Sequence, residues 1–478
     1  MSALENQVKV NLNIPNIGTK KLKITQYSDG KRKFQLSSNL LPLFNFNKGD
    51  KVYEESRGEG LGYVIRKLNS NPLIRRVKHV YSRTYKRRLS NPCEVSYEST
   101  AKDILASIPD TCTHVQVIMQ PDCIYVLPIN NLVADRINKV MTAENPFTVF
   151  SCCSSGIDGY AAFKAGFQIN SLLDWRPIEA RDEKKGQDFS ESGVLTALNN
   201  LKVKHVFNQD ITDISTGMLK RLIGKDDSMV LTISLQCDGF SGACSPADKQ
   251  RAIDECSSNI DMLIDGLRLV SALQFPIVVL EQVPGFKSSD IGNVWNLRLS
   301  KMGYKVHEAI LDSRDYGGLT SRKRYFSVAS TLPVPFEFPT QEPRRTTPFW
   351  NEIESEVGEL RNVSKSTSIQ KGAECGRLRA FNRESLYANS LLKSQSRMCK
   401  DSVVFEDDGE YYFPNELLEK KLMTVPDSFS LNATSKTLAS EILGQGVCFK
   451  LYNKLMLSVK NHIESFITNN SHTNIDLA

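Results

Sequence analysis

Two hydrophobic rhythms divide the chain. Up to about residue 128 the apolar positions come in short alternating runs separated by turn residues, which is the period-two pattern of half-buried strands. Lys9–Ile14 alternates in this way, and Leu22–Leu36 reads as a hairpin around Asp29-Gly30. Short strands are predicted at Lys51–Tyr53 and Tyr63–Ile65. A further hairpin spans His114–Leu127, turning at Pro121-Asp122, and a short helix over Ser99–Ile108 interrupts the series. Residues 129–145 switch to helical spacing and connect this half to the next.

From Phe147 onward the rhythm changes. Unbroken apolar runs, each ending in a loop, recur at Thr148–Cys153, Ser171–Asp174, Lys204–Asp210, Val230–Leu235 and Phe275–Leu280. Helical stretches such as Tyr160–Gly166 and Val294–Met302 lie between or after them, and another strand follows around Tyr304–Ile310. Continuous apolar strands alternating with helices predict an α/β fold of the Rossmann-like kind. Residues 331 to about 412 break this rhythm with a Pro-rich start and a polar, arginine-bearing continuation; helical spacing returns over 450–466, and the tail from Thr468 is polar and expected to fray. The division expected is a β-rich basic domain (1–145), the main α/β domain (146–332), an inserted region (333–412) and a C-terminal part that completes the α/β domain (413–478).

Composition narrows the class only slightly. A chain of 478 residues can bury a large core, no apolar run reaches the length of a membrane span, and the N-terminus does not resemble a signal peptide. The expectation is a soluble, intracellular, cytoplasmic protein without membrane contact. The net charge of +6 implies a polyanionic partner only where it is clustered. Arg75–Arg88 is such a cluster, with tyrosines interleaved among its basic residues, and suits phosphate contact with stacking. The eleven cysteines and six histidines are scattered without CxxC pairs, so neither a disulfide framework nor a metal site is expected. Glu406–Glu410 reads as a solvated turn.

Candidate chemistry sits where strands end. Val230–Leu235 stops at Gln236-Cys237-Asp238-Gly239-Phe240-Ser241, and Ile277–Leu280 stops at Glu281-Gln282-Val283. Ligands of open α/β sheets bind at that edge. Ser154-Ser-Gly156-Ile-Asp158-Gly159 is a tight turn into a helix, Asp174-Trp175 and Asp210-Ile211 each follow a strand, and Arg322 and Arg324 stand two apart before another. These fragments, in this order, resemble the motifs of the cytosine-C5 DNA methyltransferases: Phe-x-Gly-x-Gly-Gly, Pro-Cys-Gln-Gly-Phe-Ser, Glu-Asn-Val, Gln-x-Arg-x-Arg and a late Gly-Asn-Ala-Val-Pro turn. The last is matched by Gly444-Gln445-Gly446-Val447-Cys448, and Leu422–Phe429 resembles the motif before it. The chain departs from the pattern at Ser154, Asp158, Gln236, Gln282, Thr320, Gln445 and Cys448.

The resemblance implies a DNA (cytosine-5-)-methyltransferase that uses S-adenosylmethionine and no metal. Cys237 would add to C6 of a flipped-out cytosine. Glu281 would engage N3 and the exocyclic amine, and Arg322 and Arg324 the base oxygen. Gly156, Gly159, Asp174, Trp175, Asp210, Ile211, Gln445 and Val447 would hold the methyl donor. Asp158 is expected to repel the donor's carboxylate. Residues 333–412 would form the target recognition region. The implied partner is double-stranded DNA, with a cognate restriction endonuclease as a further candidate and a monomer as the expected state. The alternatives are a catalytically decayed DNA-binding protein and an RNA cytosine-C5 methyltransferase.

Overall fold

The computed structural model describes residues 15–68, 76–85, 93–184, 186–242 and 244–473, in two compact units, Met1–Asp135 and Arg136–Ala478. The division falls at 135, inside the helix Leu132–Thr142, rather than at 145.

The first unit is β-rich. A six-stranded sheet runs in the order Gly18–Lys23, His114–Gln120, Cys123–Ile129, Tyr63–Lys67, Lys51–Ser56 and Lys78–His79. A four-stranded sheet contains Thr25–Gln26, Arg32–Ser37, Cys93–Ser99 and Tyr81–Thr84. The hairpin at Pro121-Asp122 pairs Gln120 with Cys123, and Asp122 takes a φ of 58° that a two-residue turn requires. The turn at Asp29-Gly30 is longer, closed by Tyr27 N donating to Lys31 O at 2.9 Å. Alternate residues bury Phe34, Tyr63, Val117 and Tyr97 in one core. The strand expected at Lys9–Ile14 lies outside the described residues, as do Arg75, Lys86, Arg87 and Arg88 of the basic cluster; of its remainder, Arg76 is exposed and pairs with Asp103 at 2.5 Å.

The second unit is built on a seven-stranded sheet. Its strands are β1 (Thr148–Cys152), β2 (Gln168–Leu173), β3 (His205–Phe207), β4 (Val230–Ile233), β5 (Ile277–Gln282), β6 (Lys305–Asp312) and β7 (Lys323–Ser330). The order is β3-β2-β1-β4-β5-β7-β6; the first five are parallel, and β7 runs antiparallel to both its neighbours. Both faces are covered, which is why these strands carry unbroken apolar runs. On β4, Val230 joins the core that holds Ile277 and Val279, while Leu231 joins the opposite core with Leu269 and Trp295.

Helix α1 (Ile157–Lys164) follows β1, and α2 (Ser192–Asn200) precedes β3; α3 (Met262–Leu273) and α4 (Asp290–Lys301) cover the second face. At the end of the chain come α5 (Lys436–Gln445) and α6 (Phe449–Thr473). Helix α6 packs on α1, where Asn453 Nδ2 donates to Ala161 O at 2.9 Å. It stays helical to Thr473, so 468–473 of the tail expected to fray continue the helix, and the rest of that tail lies outside the described residues. Between β7 and α5 the chain forms a small sheet of its own, ordered Arg361–Asn362, Glu410–Phe413, Val403–Asp407 and Arg379–Phe381. No helix among the described residues is long and apolar enough to cross a membrane.

Candidate active site

Strand order reverses between β1 and β4, so the loops leaving their carboxyl ends part and open a crevice. Every strand-end motif of the sequence reaches this edge. The Gly156 turn follows β1, Asp174 follows β2, Asp210 follows β3, Cys237 follows β4, and Glu281 lies in the last turn of β5.

Cys237 is half-buried, and two bonds define its turn: the amides of Phe240 and Ser241 both donate to its carbonyl at 2.9 Å. The loop is seated against β5. Phe240 meets Phe286 edge-on, with ring centroids 5.0 Å apart. Gly285 has no side chain because the Phe240 carbonyl lies 2.4 Å from where a Cβ would be. Gln282 ties the approach to the thiol: Nε2 donates to Leu235 O at 2.9 Å and Gln236 O at 3.4 Å, while Oε1 accepts from Val283 N at 2.8 Å. Asn259, at the far stem of the loop, bonds the Gln236 side chain. Burial pushes the Cys237 thiol up, helped by Asp238 and Glu281, with Arg324 and Arg322 pulling the other way.

The two arginines part company. Arg324 Nε lies 2.8 Å from Glu281 Oε1, both side chains being largely buried, so the carboxylate is held beside the thiol. Arg322 is 1% exposed and its guanidinium donates to Ser390 Oγ (2.8 Å), Leu391 O (2.9 Å), Gly444 O (3.0 Å) and Gln445 O (3.1 Å). Two residues apart on one strand should share a face, but β7 begins only at Lys323, and Arg322 lies outside its ladder. In this structure its guanidinium bridges two backbone segments distant in sequence.

Around the crevice's other side, Gly156 takes a φ of 101°, and a Cβ there would fall 2.9 Å from Ala197 Cα in α2. The last turn docks on this one: a Cβ on Gly446 would fall 2.7 Å from Ile157 Cδ1. Gln445 is exposed beside it. Arg176, just past Trp175, reaches Asp182 (2.9 Å) and Glu441 of α5 (3.3 Å). Trp175 is half-buried, with no aromatic partner among the described residues. Asp210 caps its own turn, accepting from Thr212 N at 2.9 Å. Ile211 (2% exposed) and Val447 (5%) are packed into the two apolar cores, so their side chains serve the fold rather than line the crevice. Gly159 carries α1 past Leu201, 3.2 Å from its Cβ position.

Sequence reasoning gave Ser154 and Asp158 no constructive role, although both are buried here. The Ser154 hydroxyl donates to Asp158 Oδ1 and accepts from Gly156 N at 3.1 Å. Asp158 Oδ2 has no hydrogen-bond partner among the described residues. Burial pushes Asp158 up to about 6, with Glu281 adding to the effect; burial and then Asp158 push Asp174 up to about 8. The signal in the sequence was the departure itself. No group of three or more His, Cys, Asp or Glu side chains is placed to hold a metal among the described residues.

The comparisons agree with this geometry. Residues 194–375 match the family model described as C-5 cytosine-specific DNA methylase. A curated relative, the type II methyltransferase M.MspI of a Moraxella species, is 25% identical over 256 residues, 50% of this chain. The match spans 59% of that protein's length. Among solved structures, the Dnmt2 methyltransferase of S. pombe aligns with a TM-score of 0.50 at 14% identity, covering 66% of this chain and 98% of that one. The Entamoeba histolytica methyltransferase EhMeth aligns with a TM-score of 0.50 at 16% identity, covering 66% and 99%. The fold is that of the Rossmann-like S-adenosylmethionine-dependent methyltransferases. With its thiol, carboxylate and arginine on one strand edge in the order of the motifs, the chain is similar over residues 194–375 to the C-5 cytosine-specific DNA methylases.

Proposed function

We propose that the chain methylates C5 of a flipped-out cytosine in duplex DNA, through a covalent bond between Cys237 Sγ and C6. The observation that carries this reading is the meeting of Cys237, Glu281 and Arg324 at the carboxyl edge beside the β1–β4 crevice. C5 of cytosine is too weak a nucleophile to take a methyl group unaided. Addition of the thiolate at C6 moves the C5–C6 π electrons toward C5; the Glu281 carboxyl offsets the negative charge that builds on the ring by giving a proton to N3, while accepting from the exocyclic amine. Arg324 fixes the carboxylate for that contact. After the methyl group is in place, loss of the C5 proton restores the C5–C6 double bond, and Cys237 leaves as thiolate.

S-adenosylmethionine, when bound, supplies the electrophilic methyl group. The residues at the crevice fit it: strand-end acids can accept ribose hydroxyls, and the ligand's net positive charge suits Asp158 and Asp174, neither of which has a salt-bridge partner among the described residues. Asp174 and Asp210 are the proposed acceptors for the adenosine, with Trp175 stacking and Gln445 closing the turn over it. The small sheet of the inserted region and the basic part of the first unit are the proposed nucleic-acid contacts. The domain roles are proposed on the same basis, with 333–412 as the target reader.

Incubation of the purified chain with duplex DNA and methyl-labelled S-adenosylmethionine, followed by nucleoside analysis, tests the whole reading. Labelled 5-methylcytosine in DNA is the expected product, and Cys237→Ser should abolish it while DNA binding persists. Label in RNA alone would move the substrate class, and no label with no donor binding would leave a DNA-binding protein on a methyltransferase fold.

A further inference from the structure

We propose that Asp158, held by Ser154 at the turn into α1, makes the donor pocket select a cationic occupant, favouring the sulfonium donor over its uncharged-sulfur product. The inference rests on the S-adenosylmethionine reading of the crevice. The family motif has an aromatic residue and a glycine where this chain has Ser154 and Asp158. These two departures contact each other, the serine hydroxyl donating to the aspartate, and Asp158 is near enough to Asp174 to push its carboxyl up. Asp158 stands in the first turn of α1. A helix N-terminus normally offers free amides to an anion. Here the chain has filled that place with an anion of its own, which reverses the sign of what the pocket presents.

The charge is not neutralised from within. Asp158 is 6% exposed, Oδ2 has no hydrogen-bond partner among the described residues, and Glu281, itself paired with Arg324, pushes the carboxyl further up. Like charges gathered in a poorly hydrated site raise one another's affinity for any cation that enters. Donor and product share the adenosine, the ammonium and the carboxylate. They differ by the methyl group and the positive charge on sulfur, so the ratio of their affinities isolates the response to that charge.

Calorimetric titration of the full chain with S-adenosylmethionine and with S-adenosylhomocysteine at pH 8.5 tests the proposal. In Asp158→Asn, donor affinity should fall about tenfold and product affinity less than about twofold, the size expected for one screened charge in a partly buried site. Asp158→Gly, which restores the family residue, should shift the ratio the same way and supplies a second variant if the first folds poorly by thermal melting. Equal losses for both ligands, or tighter donor binding in Asp158→Gly, would overturn the proposal, the latter because it would mean Asp158 repels the donor's carboxylate. Failure of the native chain to bind either ligand would remove the donor reading itself, and this inference with it.

Discussion

Arg322→Met tests whether the second arginine is a clamp rather than a substrate contact. In the native chain its guanidinium links Ser390 and Leu391 of the inserted region to Gly444 and Gln445 of the last turn. Those segments press together closely enough that a Cβ on Gly444 would lie 2.1 Å from Leu392 O. Methionine fills much of the volume but strands the acceptors. The carbonyls of Leu391 and Gly444 are buried and cost roughly 2 kcal/mol each when unpaired; the two remaining acceptors are part-buried and, reaching water, cost less. Some of this loss is returned. Burial, followed by Arg324, pushes Arg322 down to about 9, so removing its charge relieves a penalty. The net is about 3 kcal/mol, at the lower end of what breaking a buried charged contact costs. At roughly 2–4 °C per kcal/mol for a large domain, the melting midpoint should fall by about 6–12 °C. Differential scanning fluorimetry with urea titration measures it. A midpoint within about 2 °C of native would mean the two segments hold together without Arg322 and would return the residue to the pool of base contacts.

Alkylation of Cys237 by iodoacetamide, followed at its own tryptic peptide, should be slow at neutral pH and keep rising through pH 9, because burial and the neighbouring Asp238 and Glu281 hold the thiol protonated; Arg324→Met should slow it further, and a plateau already reached by pH 7 would refute this. Donor affinity should rise between pH 6 and pH 9. The raised carboxyls, Asp158 at about 6 and Asp174 at about 8, lose protons over that range and gain attraction for a cation, so flat or falling affinity would contradict the assigned pocket. Glu281→Leu combined with Arg324→Met should abolish methyl transfer yet melt within about 3 °C of native, since a largely buried ion pair adds little net stability; a much larger drop would make the pair a structural support.

The strand edge that carries the candidate site was legible because its signals are local. A strand that must be buried on both faces is apolar throughout, and it ends where polar residues begin, so Cys237 and Glu281 announced their positions. The same holds for the hairpin at Pro121-Asp122, whose turn geometry is written in two residues. Arg322 was not legible. Its spacing from Arg324 implied a shared face only if the strand were continuous through both, and its partners lie 68 to 123 residues away in sequence. Ile211 and Val447 sit beside polar motif residues, yet their side chains turn into the apolar cores, a choice that neighbouring positions cannot reveal. The inserted region showed only as a loss of rhythm, because its strands are two to five residues long and carry little period.

The departures from the motif pattern bear on whether the chain is an enzyme or a decayed relative. Loss of function leaves substitutions that need not fit one another. Ser154 and Asp158 do fit: the new hydroxyl donates to the new carboxylate. Gln282, where the motif has asparagine, still delivers its amide to Leu235 and Gln236 and so still fixes the approach to Cys237. The pairing of Arg324 with Glu281 argues further in the same direction. Holding two charges out of water gains a fold little that packed apolar side chains would not supply as well. A protein that only bound DNA would have no use for that pair at the bottom of a crevice, next to a thiol. A protein that must stabilise negative charge appearing on a ring has that use, because the carboxyl that gives N3 its proton must already be in place when the thiolate adds.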